Sequence, residues 1–136
     1  MRYIFMVAGK GSRLHPLTLK HPKSMFKLDS NTTLIQRMVA LIKKYDEQAD
    51  VVVVTGHMHN SIEQLLEEVT CIYNPFYEVT NSIASLWFAR EYLDDDNVVL
   101  IDGDIVMPED AVRDIVCKKV SQATVLLDSS IRVDGD

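Results

Sequence analysis

Short apolar runs alternate with helical patterns along this chain, and that alternation restricts the possible folds more than any other feature. Several runs are continuous and β-branched, as is typical of strands buried on both faces of a sheet. The runs are Tyr3–Val7, Val51–Thr55, Cys71–Tyr73, Val98–Ile101 and Thr124–Leu127. The sequence therefore predicts an α/β protein with a three-layer, Rossmann-like, mostly parallel sheet and helices on both faces.

Helical patterns fill the intervals between the predicted strands. Capping boxes, in which a Ser or Thr and a Gln three residues later satisfy each other's backbone N–H groups, mark two starts. These boxes are Thr33 with Gln36 and Ser61 with Gln64. A third helix is expected from Asn81 or Ser82 to Leu93, and a fourth from Glu109 to about Val116, with Pro108 in its first turn.

Composition excludes several classes of protein. A length of 136 residues with 47% hydrophobic residues predicts one domain with a real core. The formal net charge of -6 argues against non-specific binding to nucleic acid, which needs a broad basic face. Because no apolar stretch is long enough to span a membrane and the cysteines form no disulfide framework, we expect a cytoplasmic protein without a membrane span.

One loop is basic although the chain is acidic. The stretch "MVAGKGSRLHPLTLKHPK", residues 6–23, contains two glycines and four basic side chains other than histidine. It leaves the first predicted strand at the sheet edge where ligands of open α/β proteins bind. Glycine-bearing turns can direct backbone N–H groups at phosphate, and Lys10, Arg13, Lys20 and Lys23 add charge. The spacing matches neither the dinucleotide fingerprint nor the Walker A loop.

A pair of carboxylates follows the fourth predicted strand. Asp102 and Asp104 flank Gly103, at the edge that also carries the basic loop. Magnesium takes one or two protein carboxylates and completes its shell with phosphate and water. The alternative is that Asp-Gly-Asp serves only as a turn after a strand.

Three stretches resemble one family in the same order along the chain. Residues 8–23 read A-G-x-G-x-R-L-x-P-L-T-x-x-x-P-K, which resembles the signature of nucleotidyltransferases that make sugar nucleotides and CDP-alcohols. The stretch "NPFYEVTNSIASLWFAR", Asn74–Arg90, is similar to the phosphocholine cytidylyltransferase branch, and "VVLIDGDIV", Val98–Val106, also fits the family. The resemblance covers nearly the whole chain and implies a GT-A type sheet.

The resemblance also implies roles for particular residues. Arg13 and Lys23 are the expected catalytic residues, Arg13 at the β and γ phosphates and Lys23 at the α-phosphate. Asp104 is the expected ligand of Mg²⁺, and Asp102 a weaker candidate. The expected nucleotide-binding residues are Ala8, Gly9, Gly11, Ser12, Arg13, Asn81 and Ser82. Asn81 and Ser82 match family positions near the base and ribose, and residues of their type are also common helix N-caps.

The implied reaction moves CMP from CTP onto a phosphorylated acceptor such as phosphocholine, or onto a phosphonate, and releases pyrophosphate. Because a phosphomonoester's second pKa lies near 6, no general base is needed at neutral pH. Two alternatives remain open, a sugar-1-phosphate nucleotidyltransferase and a non-catalytic nucleotide-binding module. The sequence does not identify the base or the acceptor.

The family implies more chain than is present here. We therefore expect residues 1–136 to form the N-terminal, nucleotide-binding portion of a single nucleotidyltransferase domain whose C-terminal part is absent. Weak nucleotide binding, poor turnover and a homodimer that covers an exposed sheet edge are further expectations.

Aromatic residues in the Asn74–Arg90 stretch allow two interpretations. Trp87 lies at helical spacing with Ile83 and Leu86, which favours a core position. The alternative is that Phe76, Tyr77 and Trp87 face a quaternary ammonium group through cation–π attraction.

Overall fold

Parallel strands form the centre of the molecule. The structure is a computed structural model that describes residues 1–11, 20, 23–94 and 97–127. Its strands are β1 (Arg2–Met6), β2 (Asp50–Thr55), β3 (Thr70–Tyr73) and β4 (Val98–Asp102). The four described strands form one sheet in the order β3-β2-β1-β4, and every pairing is parallel. The predicted Rossmann-like sheet is thereby confirmed.

Helices follow the strands as the sequence predicts. They are α1 (Leu34–Tyr45), α2 (His59–Glu63), α3 (Ser82–Phe88) and α4 (Glu109–Cys117), with short 3-10 helices at Lys23–Met25 and Arg90–Tyr92. The capping box of α1 is confirmed, because the Thr33 N–H donates to Gln36 Oε1 at 3.0 Å and the Gln36 N–H to Thr33 Oγ1 at 3.4 Å. None of the described helices is long and apolar enough to cross a membrane.

Three local predictions were wrong. Helix α2 begins at His59, so Ser61 lies inside it, and its N-cap is Met58 in the left-handed region with φ 54°. Helix α3 ends at Phe88 rather than Leu93. The run Thr124–Leu127 is not a strand, and Leu127 is 80% exposed. An apolar run becomes a strand only through hydrogen bonds to a neighbour, and this run pairs with none of the described strands.

The core consists of two unequal layers. On one face of the sheet, called here the α1 face, side chains of β1, β2 and β4 pack against α1, α2 and α4. On the other, the α3 face, Ile4, Val52 and Val54 pack against Ala89. Leu100 points to the α3 face and is 52% exposed, so part of that face is open.

Candidate functional site

The segments that follow the strands meet at one edge of the sheet. Beyond the strand ends, neighbouring segments remain joined by backbone hydrogen bonds. Gly103 donates to the Met6 carbonyl at 3.0 Å, and His57 to the Ala8 carbonyl at 3.0 Å. Because these bonds fix the segments relative to one another, the described residues directly after β1, β2 and β4 lie side by side at this edge.

The first cavity on this rim contains the predicted lysine and carboxylates, and we call it the Lys23 cavity. Its volume is about 150 Å³. The lining residues are Met6, Val7, Gly9, Gly11, Lys23, Ser24, Ser82, Asp102, Gly103 and Asp104. Lys23 Nζ donates to Asp104 Oδ2 at 2.9 Å, in a pair that is partly exposed to solvent. The structure therefore brings the Lys23 ammonium group together with the carboxylates of Asp102 and Asp104, which lie 79 and 81 residues further along the chain.

A second cavity adjoins the first, and we call it the Asn81 cavity. Its volume is about 190 Å³. The lining residues are Met6, Ala8, Gly9, Tyr77, Thr80, Asn81, Ser82 and Ser85. Met6, Gly9 and Ser82 line both cavities. An elongated ligand lying across Gly9 and Ser82 would occupy both spaces.

Glycines shape the rim in two different ways. A Cβ built on Gly9 meets nothing within 4 Å, so the backbone there faces open cavity. Gly11 has φ 63°, a conformation that favours glycine. A Cβ on Gly103 would collide with the side chain of Val7, so only glycine lets the Asp-Gly-Asp turn pack against the end of β1.

Asn81 stands at the start of α3 and faces the second cavity. Its Oδ1 accepts the Ala84 N–H at 3.0 Å, which makes it the N-cap of the helix. Both Asn81 and Ser82 are exposed. The capping role is thus established, and the position in the cavity leaves the side chain within reach of a ligand.

Lys10 adds its charge to a different place from the one predicted. Its Nζ pairs with Glu78 Oε1 at 2.9 Å and lies 6.0 Å from the centre of the Tyr77 ring. The hydrogen bond to Glu78 raises the pKa of Lys10, and the same bond lowers the pKa of Glu78. This ion pair joins the basic loop to the turn at residues 75–79 rather than lining either cavity.

Two predicted site residues cannot be placed. Ser12 and Arg13 lie outside the described residues, so their roles stay predictions. Lys20 is described and exposed.

The core prediction for Trp87 was wrong. Its side chain is 64% exposed, and Ile83 one turn earlier is 79% exposed. Ala89 and the half-buried Leu86 contact the sheet instead. The guanidinium of Arg90 lies 4.8 Å from the centre of the Trp87 ring, so a cation from the protein itself already faces this ring.

Sequence reasoning missed the polar network beneath the Asn81 cavity. Asn74, Thr80 and Ser85 are joined there by hydrogen bonds. The available signal was the position of Asn74, a polar residue directly after a predicted strand. Gly56 was missed as well: a Cβ there would lie 2.6 Å from Tyr77 Cβ, so the ring of Tyr77 packs directly on its backbone.

A ligand site beyond the carboxyl ends of parallel strands is typical of nucleotide-binding α/β proteins. A family model for the MobA-like NTP transferase domain matches residues 3–130, and the chain belongs to that family. The nucleotidyltransferase resemblance is thereby confirmed.

Two relatives show which kinds of nucleotidyltransferase this chain is similar to. The chain is 32% identical to a choline-phosphate cytidylyltransferase of Haemophilus influenzae over 79% of its own length and 45% of the relative. It is 30% identical to a CMP-5'-(3-aminopropyl)phosphonate synthase of Streptomyces rubellomurinus, over 78% of this chain and 17% of the relative.

A solved structure of another cytidylyltransferase is also similar to this chain. The CTP:phosphocholine cytidylyltransferase of Streptococcus pneumoniae superimposes with a TM-score of 0.67 at 28% identity, covering 76% of this chain and 44% of that one. The chain thus spans about half the length, or less, of these relatives.

Proposed function

We propose that this chain supplies the nucleotide-binding part of a cytidylyltransferase, which moves CMP from CTP onto a phosphate or phosphonate acceptor such as phosphocholine. The observation that carries the proposal is the pair of adjoining cavities. The Asn81 cavity takes the base and ribose, and the Lys23 cavity takes the triphosphate. Gly9 and Ser82, which line both, lie where the two parts of the nucleotide join. The relatives named above support the choice of CTP.

The chemistry needs positioning and positive charge more than proton transfer. An acceptor oxygen attacks the α-phosphorus, the bond from that phosphorus to the bridging oxygen breaks, and pyrophosphate leaves with the electron pair. Since the acceptor arrives already ionised, the protein's task is to hold two anions in line and to offset their charge. Lys23 is the described cation in the triphosphate cavity, and Arg13 is proposed to assist it.

Asp104 and Asp102 fit a magnesium ion. Both line the Lys23 cavity, both are exposed, and carboxylate oxygens are the ligands that this hard cation prefers. We propose Asp104 as the main ligand and Asp102 as the weaker one. The bound ion would supply charge compensation for the leaving pyrophosphate.

Pyrophosphate release tests the proposal. The chain is incubated with Mg²⁺ and each of the four NTPs, with phosphocholine, an aminoalkyl phosphonate or a sugar 1-phosphate as acceptor. We expect release with CTP and with one of the first two acceptors. Lys23→Ala should lower turnover at least about 100-fold, because it removes a charge that acts in the transition state. Lys27→Ala is the matched control, since Lys27 is an exposed lysine of the same loop region.

Other results would replace the proposal with one of its alternatives. Release only with a sugar 1-phosphate would make the chain a sugar-nucleotide enzyme. Tight CTP binding without release, weakened but not abolished by Lys23→Ala, would make it a nucleotide-binding module.

A further inference from the structure

Asn74 is the first residue after β3, and it is wholly buried. Its backbone N–H continues the sheet by donating to the Thr55 carbonyl at 2.8 Å. Its side-chain Nδ2 donates to Thr80 Oγ1 at 3.0 Å and to Ser85 Oγ at 2.9 Å. Its Oδ1 accepts the Phe76 N–H at 2.8 Å. One side chain thus joins the end of a strand to a turn and to a helix.

The orientation of this amide follows from its partners. A backbone N–H can only donate, so the Asn74 oxygen must face Phe76. The NH₂ group must then face the hydroxyls of Thr80 and Ser85, which can accept. A carboxylate in this position would lack both donors, and an apolar side chain would lack all three bonds. A primary amide of this length therefore suits the position better than either.

The groups that Asn74 holds form one wall of the Asn81 cavity. Thr80 and Ser85 line the cavity on either side of Asn81 and Ser82, whereas Asn74 lies behind them. Thr80 Oγ1 also donates to the Phe76 carbonyl at 2.8 Å. Phe76 is thus held both by Asn74, through its N–H, and by Thr80, through its carbonyl. Because that turn carries Tyr77, the same network also fixes an aromatic wall of the cavity.

We infer that Asn74 is a positioning residue for nucleotide binding, which acts through the 75–79 turn and the first turn of α3. The inference rests on the proposed function, since it assigns the Asn81 cavity to the base and ribose. Removing the amide takes one hydrogen bond from the Phe76 N–H and one each from the hydroxyls of Thr80 and Ser85. Polar groups that lose a partner in a part-buried place favour a rearrangement that restores the lost bonds. The wall relaxes to recover those bonds, and Asn81 and Ser82 move with it.

Asn74→Ala tests this role, with Val39→Ala as control. Val39 is buried in α1 on the opposite face, so its truncation lowers stability without touching the cavity. CTP affinity is measured by calorimetry under conditions where denaturation curves show both variants fully folded. We expect Asn74→Ala to weaken CTP binding at least about 10-fold and Val39→Ala to change it by less than about twofold.

Amide hydrogen exchange supplies the readout that a general loss of stability does not move. In Asn74→Ala, exchange should accelerate at Phe76 and Ala84, which report the turn and the start of α3, and not in β1 or α1. Asn74→Asp preserves volume and the acceptor for Phe76 if alanine prevents folding. We expect it to produce the same local pattern and a smaller loss of affinity.

The outcomes separate the two proposals. If the wild-type chain binds no NTP, the proposed function fails, while exchange at Phe76 and Ala84 still decides whether Asn74 holds the wall. If the wild type binds CTP and both folded Asn74 variants bind it equally well, the inference is overturned. Uniformly faster exchange along the chain would also overturn it, because Asn74 would then be a purely structural residue.

Discussion

The two faces of the sheet differ in how completely they are covered. On the α1 face, three helices bury a continuous cluster that includes Tyr3, Phe5, Ile35 and Met38. On the α3 face, four fully buried residues form the cluster, and large apolar side chains such as Ile83 and Trp87 remain exposed. Burial of apolar surface is the main source of stability, so most of it comes from the α1 face.

The candidate site is built beside the thinner layer. Thr80, Asn81, Ser82 and Ser85 of the Asn81 cavity all belong to α3 or the segment that leads into it. The difference between the two faces predicts that substitutions on the α1 face lower stability most. Substitutions on the α3 face should change ligand binding with a smaller loss of stability.

Ile35→Ala should lower the stability of the protein most, and it tests the packing on the α1 face directly. Ile35 is 1% exposed, in α1 against the sheet. Truncation of such a side chain leaves a cavity and lowers the free energy of unfolding by about 2–5 kcal/mol. Urea denaturation followed by circular dichroism measures the change. A loss below about 1 kcal/mol would show that the α1 face does not dominate stability.

Gly56→Ala tests the close packing of the residues that follow β1 and β2 against Tyr77. The added Cβ would lie 2.6 Å from the Ala8 carbonyl oxygen and 2.6 Å from Tyr77 Cβ, so the backbone or the ring must shift. We expect a stability loss of about 1–3 kcal/mol together with weaker CTP binding, because Tyr77 lines the Asn81 cavity.

Gly9→Ala is the matched control for Gly56. Its Cβ would meet no atom within 4 Å, so stability should stay within about 1 kcal/mol of the wild type. CTP affinity should nevertheless fall, since the methyl group stands in the space that both cavities share. Equal stability losses in the two variants would contradict the packing described for Gly56.

Trp87→Ala tests how completely the α3 face is covered. Removing a core tryptophan costs about 3–5 kcal/mol. Trp87 is 64% exposed and its described cation–π partner is Arg90, so the expected loss is below about 1 kcal/mol. The same denaturation experiment measures it. A loss of stability as large as that for a core tryptophan would mean that the α3 face is covered in solution.

The smallest effect concerns the ion pair between Lys10 and Glu78. Its hydrogen bond lowers the pKa of Glu78 below the ordinary value of 4.5 and raises that of Lys10 above 10.5. The pair is therefore complete between those values; it is lost as pH falls through the lowered pKa of Glu78 or rises through the raised pKa of Lys10.

A titration of the side chains by NMR checks this pair. Glu78→Gln should return the Lys10 pKa toward its ordinary value and leave global stability nearly unchanged, because exposed pairs contribute little. A Glu78 carboxyl that titrates at its ordinary pKa in the wild type would show that the pair does not form in solution.

Local patterns predicted most of the fold. Four strands and the Thr33 capping box depend on neighbours in sequence, and the structure has them where expected. The meeting of Lys23 with the Asp102–Asp104 turn followed from a general rule, that parallel strands place their carboxyl ends at one edge.

The features that were missed depend on distant partners. Trp87 has the helical spacing of a core residue, but its helix presents Leu86 and Ala89 to the sheet instead. The run Thr124–Leu127 has the composition of a strand but no described strand beside it. Neither fact is encoded within a window of ten residues. The bonds of Asn74 likewise join groups six and eleven residues apart that only the folded turn brings together.

The central position of β1 has a consequence for biosynthesis. Arg2 pairs with Asp50 on one side and with Val98 on the other, so β1 is made before both neighbours and is fully paired only after β4 has been made. At ribosomal rates of about 5–20 residues per second, that wait lasts roughly 5 to 20 s. During this interval the nascent chain can pair β1 with β2 under α1, while the other edge of β1 is open to chaperones.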